Sequence, residues 1–184
     1  VKADALAALE VLGLDQAKVQ ITRDAPRWFH PGRSGAMTLG PKVTLGVFGE
    51  LHPDSLASLD ADGPMAAFEI YLGNLPPAKR KSTAKPALNA SDLQAVTRDF
   101  AFLVDAATDA GLLVRSASGA DRALISEVSV FDEFTGQGLP DGKKSIAVEV
   151  TLQPRDKTLT EAEIDAVAEK VIAGVAKATG GTLR

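Results

Sequence analysis

No cysteine occurs anywhere in the 184-residue sequence, which removes disulfides, thiolate metal sites and cysteine nucleophiles from consideration. Histidine is nearly as scarce: His30 and His52 are the two present, each directly before a proline. A zinc site would then have to be completed by carboxylates, and no recognised ligand spacing is there to supply them. Structural or interface roles suit both histidines better. Aromatic residues make up 5% of the chain, so any that reaches the surface is informative. No apolar run approaches the roughly 20 residues that span a bilayer, and no signal peptide is visible. There is no P-loop and no Gly-x-Gly-x-x-Gly fingerprint, and Ser34 sits in Gly32-Arg33-Ser34-Gly35 without the flanking pattern of a nucleophile elbow. Basic charge is not in excess either, with 20 Lys and Arg against 24 Asp and Glu for a net charge of −4. That argues against nucleic-acid binding driven by bulk charge and leaves room for a local patch. The residues themselves point to a non-catalytic chain.

What is present is a patterned chain with 45% hydrophobic residues, enough to bury a real core. It opens at Val1 in a helix-like pattern, Ala5, Leu6, Leu9 and Leu12, stopped by Gly13, and reads as a piece of something longer. A short strand is expected at 18–22, an irregular stretch at 24–35, and a strand pair at 36–39 and 43–51 joined through Gly40-Pro41. A short helix beginning at Pro53 and an apolar strand over 65–72 follow. Strands 43–51 and 65–72 are nearly continuous apolar runs, as expected where both faces are covered. Pro76-Pro77 closes this half. Residues 78–91 then have linker composition, with Lys79, Arg80, Lys81 and Lys85 among small residues. This basic linker is either a solvated connector or a strap for phosphates.

The second half, 92–184, is organised around a long hairpin. Residues 126–134 and 143–153 alternate about a turn carrying Gly136, Gly138, Pro140 and Gly142. In the second strand Ile146, Val148, Val150 and Leu152 face one way and Ser145, Ala147, Glu149 and Thr151 the other. A strand over 96–104 with Phe100, Phe102 and Val104 on one side precedes a helix at 109–118, with Gly119 as its stop. Thr160 and Glu163 form a capping box launching a helix, Gly180-Gly181 end it, and 182–184 can add an edge strand. The order βαββαβ predicts a ferredoxin-like four-stranded antiparallel sheet with two helices on one face. The uncovered face would carry Asp99, Ala101, Asp132, Phe134, Ser145 and Glu149. Strict alternation also puts Val128 and Val130 there and Phe131 on the opposite side from Phe134. Phe134 is either a stacking platform or packing for the turn near Leu139. Asp132 is either a reader of bases or a turn-starting residue.

Several stretches then resemble a known family in the right order. Phe29-His30-Pro31-Gly32-Arg33-Ser34, Gly46-Val47-Phe48-Gly49-Glu50-Leu51-His52-Pro53 and Phe68-Glu69-Ile70 resemble the late part of the bacterial phenylalanyl-tRNA synthetase beta subunit. Arg98-Asp99-Phe100-Ala101, Val130-Phe131-Asp132, Gly142-Lys143-Lys144-Ser145-Ile146-Ala147, Thr158-Leu159-Thr160 and Leu183-Arg184 are similar to its terminal anticodon-binding domain. The resemblance implies an α+β chain. Residues 1–77 would be the end of a non-catalytic class II synthetase-like antiparallel sheet domain, 78–91 the linker, and 92–184 the ferredoxin-fold domain. It implies membership of an (αβ)₂ ligase that joins phenylalanine to tRNA(Phe) in the cytoplasm, with catalysis in the alpha subunit. ATP and Mg²⁺ would serve the whole enzyme and no cofactor this segment; DNA and membrane are not among the implied partners. Anticodon contacts are implied at Ala101, Asp132, Phe134, Ser145 and Arg184, with Phe134 standing where the family typically has tyrosine. The competing reading is a ferredoxin-like module that senses a ligand or binds a protein.

Overall fold

The computed structural model describes residues 1–77 and 90–184, so Lys79, Arg80, Lys81 and Lys85 lie outside the described residues. The chain divides into two compact units, Val1–Lys85 and Pro86–Arg184. No helix of the described residues is long and apolar enough to cross a membrane.

In the first unit, helix α1 (Lys2–Val11) buries Ala5 and Leu9. Strands β1 (Gln20–Thr22), β2 (Phe29–Leu39), β3 (Val43–Leu51) and β4 (Ala66–Ile70) form an antiparallel sheet in that order. The short helix α2 (Pro53–Ser58) lies between β3 and β4 in sequence. Five consecutive β3 residues, Leu45 to Gly49, are buried, as a strand covered on both faces requires. Leu45 and Phe48 join a cluster with Ala5, Leu9, Leu14 and Met37, while Val47 joins Phe29 and Ala36. β4 departs from the expectation of double coverage: it is the edge strand, and three of its five residues are exposed. Ala67 and Ile70 pack partly against the two clusters, while Ala66, Phe68 and Glu69 stay exposed.

The stretch read as irregular is also corrected, because β2 begins at Phe29. Its pairing with β3 jumps from Phe29↔Leu51 to Ser34↔Gly49, and the interruption holds Pro31 and Gly32, residues that mask a strand in sequence. Both histidines serve the local backbone. The Gly32 amide donates to His30 Nδ1 at 3.1 Å, and the Asp54 amide donates to His52 Nδ1 at 3.2 Å, which caps α2.

The second unit contains β5 (Val96–Asp105), α3 (Ala110–Ala120), β6 (Ile125–Phe134), β7 (Lys143–Leu152), α4 (Glu161–Thr179) and β8 (Thr182–Leu183). Its sheet runs β6-β7-β5-β8 with every pairing antiparallel, the ferredoxin-like arrangement. Phe100, Phe102 and Val104 of β5 and Ile146, Val148, Val150 and Leu152 of β7 are buried with Leu113 and Ala117 of α3 and with Ile164, Val167, Val171 and Val175 of α4. Both helices thus cover one face. α3 continues through Gly119, the expected stop, and ends at Asp121. The Asp121 carboxylate accepts the Ala123 and Leu124 amides, each at 3.2 Å, and pairs with Lys170 of α4 at 2.9 Å. The Lys170 bond chiefly holds this carboxyl below its ordinary range.

α4 starts at the expected capping box. The Glu163 amide donates to the Thr160 hydroxyl at 3.3 Å, and the Thr160 amide donates to the Glu163 carboxylate at 2.9 Å. Gly180 ends the helix at φ 67°, a left-handed cap. At Gly181 a side chain would collide with Val104, its Cβ 2.6 Å from Val104 Cγ1, so glycine is what lets β8 close onto β5.

Lys157, 2.7 Å from Glu163, together with the Thr160 bonds lowers the Glu163 carboxyl from an ordinary 4.5 to about 2. A carboxyl depressed in the folded state stabilises it fully above the unfolded value and loses that contribution as pH falls through the folded one. The capping contribution is therefore expected to disappear between pH 4.5 and about 2. Denaturant midpoints measured across that window should fall less steeply for Glu163→Gln than for the parent. At neutral pH, Thr160→Ala should cost about 1 kcal/mol.

Candidate nucleic-acid interface

Because residues directly opposite each other in an antiparallel pair share a face, the register of β5, β7 and β6 places each expected site residue. Ala101 pairs with Ala147, and Ala147 with Asp132. One step along, Leu103 pairs with Ser145, and Ser145 with Phe134. These two rungs lie on the side of the sheet away from the helices. The Arg184 amide donates to the Ala101 carbonyl at 2.8 Å, which ties the C-terminal residue to the first rung. From there the Arg184 guanidinium reaches over the Phe134 ring, 5.9 Å from its centroid. Ala101, Asp132, Phe134, Ser145 and Arg184 are thus gathered on one uncovered sheet face.

Their exposures differ in a useful way. Phe134 is 40% exposed although it belongs to a strand. Asp132 is exposed, and its carboxylate has no hydrogen-bond or ion-pair partner among the described residues. The turn-starting alternative for Asp132 required bonds to local amides, and none is made there. Ser145 is 5% exposed and forms part of the floor of this face between Leu103 and Phe134. Between Asp132 and Arg184 the first rung offers two methyl side chains, Ala101 and Ala147. A flat ring can approach the backbone closely there.

Strict alternation misplaced two residues, Val128 and Val130. The β6–β7 register slips between Val130↔Val148 and Asp132↔Ala147, a β-bulge that inserts one residue into β6. Val128 and Val130, expected on the open face, therefore pair opposite the buried Val150 and Val148 on the helix-covered side. Phe131 is the inserted residue, with no Cα partner in β7 and 59% exposure. The bulge left no mark in composition. Gly136 was also missed as more than a turn residue: a side chain there would run into the Phe134 ring.

The far end of the same face is acidic. Asp99 pairs directly opposite Glu149, which in turn pairs with Ser129. Two carboxylates facing each other make that end of the face repulsive to anions. Among the described residues no group of three or more His, Asp or Glu side chains is placed to hold a metal ion.

A four-stranded ferredoxin-like sheet whose second face is bare among the described residues, with an exposed aromatic ring and a carboxylate unpaired there, places the second unit in the class of small α+β modules whose geometry suits unstacked bases. Comparison with known proteins supplies the family. Residues 91–184 match the ferredoxin-fold anticodon binding domain, and residues 1–72 match the phenylalanyl-tRNA synthetase beta chain CLM domain. The chain belongs to the ferredoxin-fold anticodon-binding domain family, with a CLM-type segment on its N-terminal side. It is 55% identical over 184 residues to the phenylalanine–tRNA ligase beta subunit of Brucella abortus (strain 2308), covering 100% of this chain and 23% of that protein. The beta subunits of Bradyrhizobium diazoefficiens, at 54% over 184 residues, and Ruegeria pomeroyi, at 55% over 183, are covered to the same extents. The chain thus spans about a quarter of the length of these relatives.

The opposed Asp99–Glu149 pair generates a stability prediction. Glu149→Gln should raise the unfolding free energy of the second unit by a few tenths to about 1 kcal/mol, since like charges directly opposite destabilise a sheet. The gain should shrink in high salt. Urea unfolding at low and high ionic strength checks both; a loss of stability would contradict the pairing.

Proposed function

We propose that this chain is the anticodon-reading end of a phenylalanine–tRNA ligase beta subunit. It would bind tRNA(Phe) while the ligation of phenylalanine is carried out elsewhere in the assembly. Residues 1–77 would be the closing portion of a non-catalytic class II-like domain, 78–91 a basic linker, and 92–184 the reader. The names of the relatives and the family of the second unit support this assignment. The observation that carries it is the Asp132 carboxylate, unpaired among the described residues, one rung from the half-exposed Phe134 ring on a sheet face that none of the described residues covers.

The chemistry follows from what an anticodon base offers. Phenylalanine anticodons begin with guanine, whose Watson–Crick edge carries two adjacent donors, N1–H and the exocyclic amine. A carboxylate presents two acceptors to that donor pair, which adenine and the pyrimidines lack. Asp132 is assigned that contact. Phe134 replaces the stacking a base loses when it leaves its neighbours. Ala101 keeps the approach open, Ser145 supplies a hydroxyl beneath it, and Arg184 brings the positive charge. Lys79, Arg80, Lys81 and Lys85 are assigned to phosphates, which position the RNA without selecting sequence. The assembly would be an (αβ)₂ enzyme with an alpha subunit, working in the cytoplasm. ATP and Mg²⁺ would be used by the whole ligase, away from this segment.

The test compares wild-type tRNA(Phe) with a variant whose first anticodon base is A, bound to the assembled enzyme. Asp132→Ala should weaken the wild-type RNA by about 1–3 kcal/mol, by analogy with paired base-edge contacts, and shrink the gap between the two RNAs. An unchanged gap would overturn the assignment of Asp132 even if overall binding fell.

A further inference from the structure

The hairpin turn after β6 contains three glycines whose needs differ. Gly138 and Gly142 have φ of 98° and 74°, conformations that disfavour any side chain. Gly136 is not among the positive-φ residues, so its backbone does not call for glycine. What calls for it is the Phe134 ring. A Cβ on Gly136 would run into Phe134 Cζ, lie 2.6 Å from Cε2 and sit 3.3 Å from Cε1. The outer end of the ring therefore rests on bare backbone. The ring is 40% exposed and can swing about its two side-chain torsions. An added methyl is accommodated most cheaply by moving the ring away while the turn stays put.

We propose that Gly136 is a positioning residue for base stacking: its missing side chain is the seat that fixes the tilt of the Phe134 ring. The proposal rests on the reading of Phe134 as a base platform. A ring that lies over the bare backbone of Gly136, with the Arg184 guanidinium 5.9 Å from its centroid, already has the tilt in which it would meet a base. A ring free to rotate would have to be ordered on binding, which weakens association.

The experiment is a double-mutant cycle on the full-length subunit in its assembled ligase, measuring tRNA(Phe) affinity and thermal midpoint for Gly136→Ala, Phe134→Ala and the double variant. Phe134→Ala should weaken binding about 5- to 150-fold. Gly136→Ala should weaken it at least about threefold with no loss of thermal stability, and should have no further effect once the ring is gone. If Phe134→Ala binds like the parent, the platform reading fails. If Phe134→Ala weakens binding but Gly136→Ala does so less than about threefold, the positioning proposal alone fails. A Gly136→Ala effect that persists without the ring, or that comes with a lowered thermal midpoint, also overturns it, because the methyl would then act through the turn.

Discussion

The ten-rung pairing of β5 with β7, from Val96↔Leu152 to Asp105↔Lys143 without a register shift, is the constraint on which the second unit depends. Side chains alternate across a strand, so one register fixes two surfaces at once. Phe100, Phe102, Val104, Ile146, Val148 and Val150 go to the helices. Asp99, Ala101, Leu103, Ser145, Ala147 and Glu149 go to the other side. A slip of one residue would exchange the sets, exposing the core and burying carboxylates. The hydrophobic drive to cover two phenylalanines and the β-branched residues thus also holds the candidate site in place.

The strands flanking this pair contribute differently. β8 is two residues long and closes onto β5 through Gly181, and it is what brings Arg184 to the Ala101 carbonyl. β6 supplies Asp132 and Phe134, yet with the register shift at Phe131. Without that bulge the valines at 128 and 130 would share a face with Asp132, and an apolar stripe would run beside the carboxylate. With it, Val128 packs against the core while Asp132 and Phe134 remain outside. One inserted residue keeps both demands compatible.

This division explains what could be read in advance. Alternation in β5 and β7, the capping box at Thr160 and Glu163, and the Gly180 stop are local signals written in residue type, and they located the elements of the second unit. Of the five residues gathered on the open face, Ala101, Asp132, Phe134 and Ser145 follow from alternation together with a family resemblance, and Arg184 from the resemblance alone. The bulge is a property of how two strands meet, and neither strand alone encodes it. The Gly136 contact depends on where a ring two residues earlier comes to rest, which spacing does not state. In the first unit, Pro31 and Gly32 disguised the start of β2, and the apolar run of β4 suggested a fuller coverage than the partial burial of Ala67 and Ile70 provides. The short helix α3 outran Gly119 because Asp121 collects the following amides and Lys170, a tertiary partner 49 residues away.

The charge on the open face bears on how such a surface works. Asp99, Asp132 and Glu149 lie on it, in a chain already at net charge −4. Each carboxylate opposes phosphate, so the face sacrifices the non-specific attraction that dominates most nucleic-acid binding. The sacrifice is local, because charges more than about 8 Å apart are largely screened at physiological salt. RNA whose backbone stays beyond that distance while one base reaches in loses little, whereas a strand lying flat on the sheet meets all three charges. If this face reads an anticodon as proposed, its acidity would select for a splayed base and against a stacked strand. On the proposed reading, Asp132, beside an aromatic ring and two alanines, would be left to favour a base with two adjacent donors. Discrimination of this kind comes from penalising wrong partners as much as from attracting the right one.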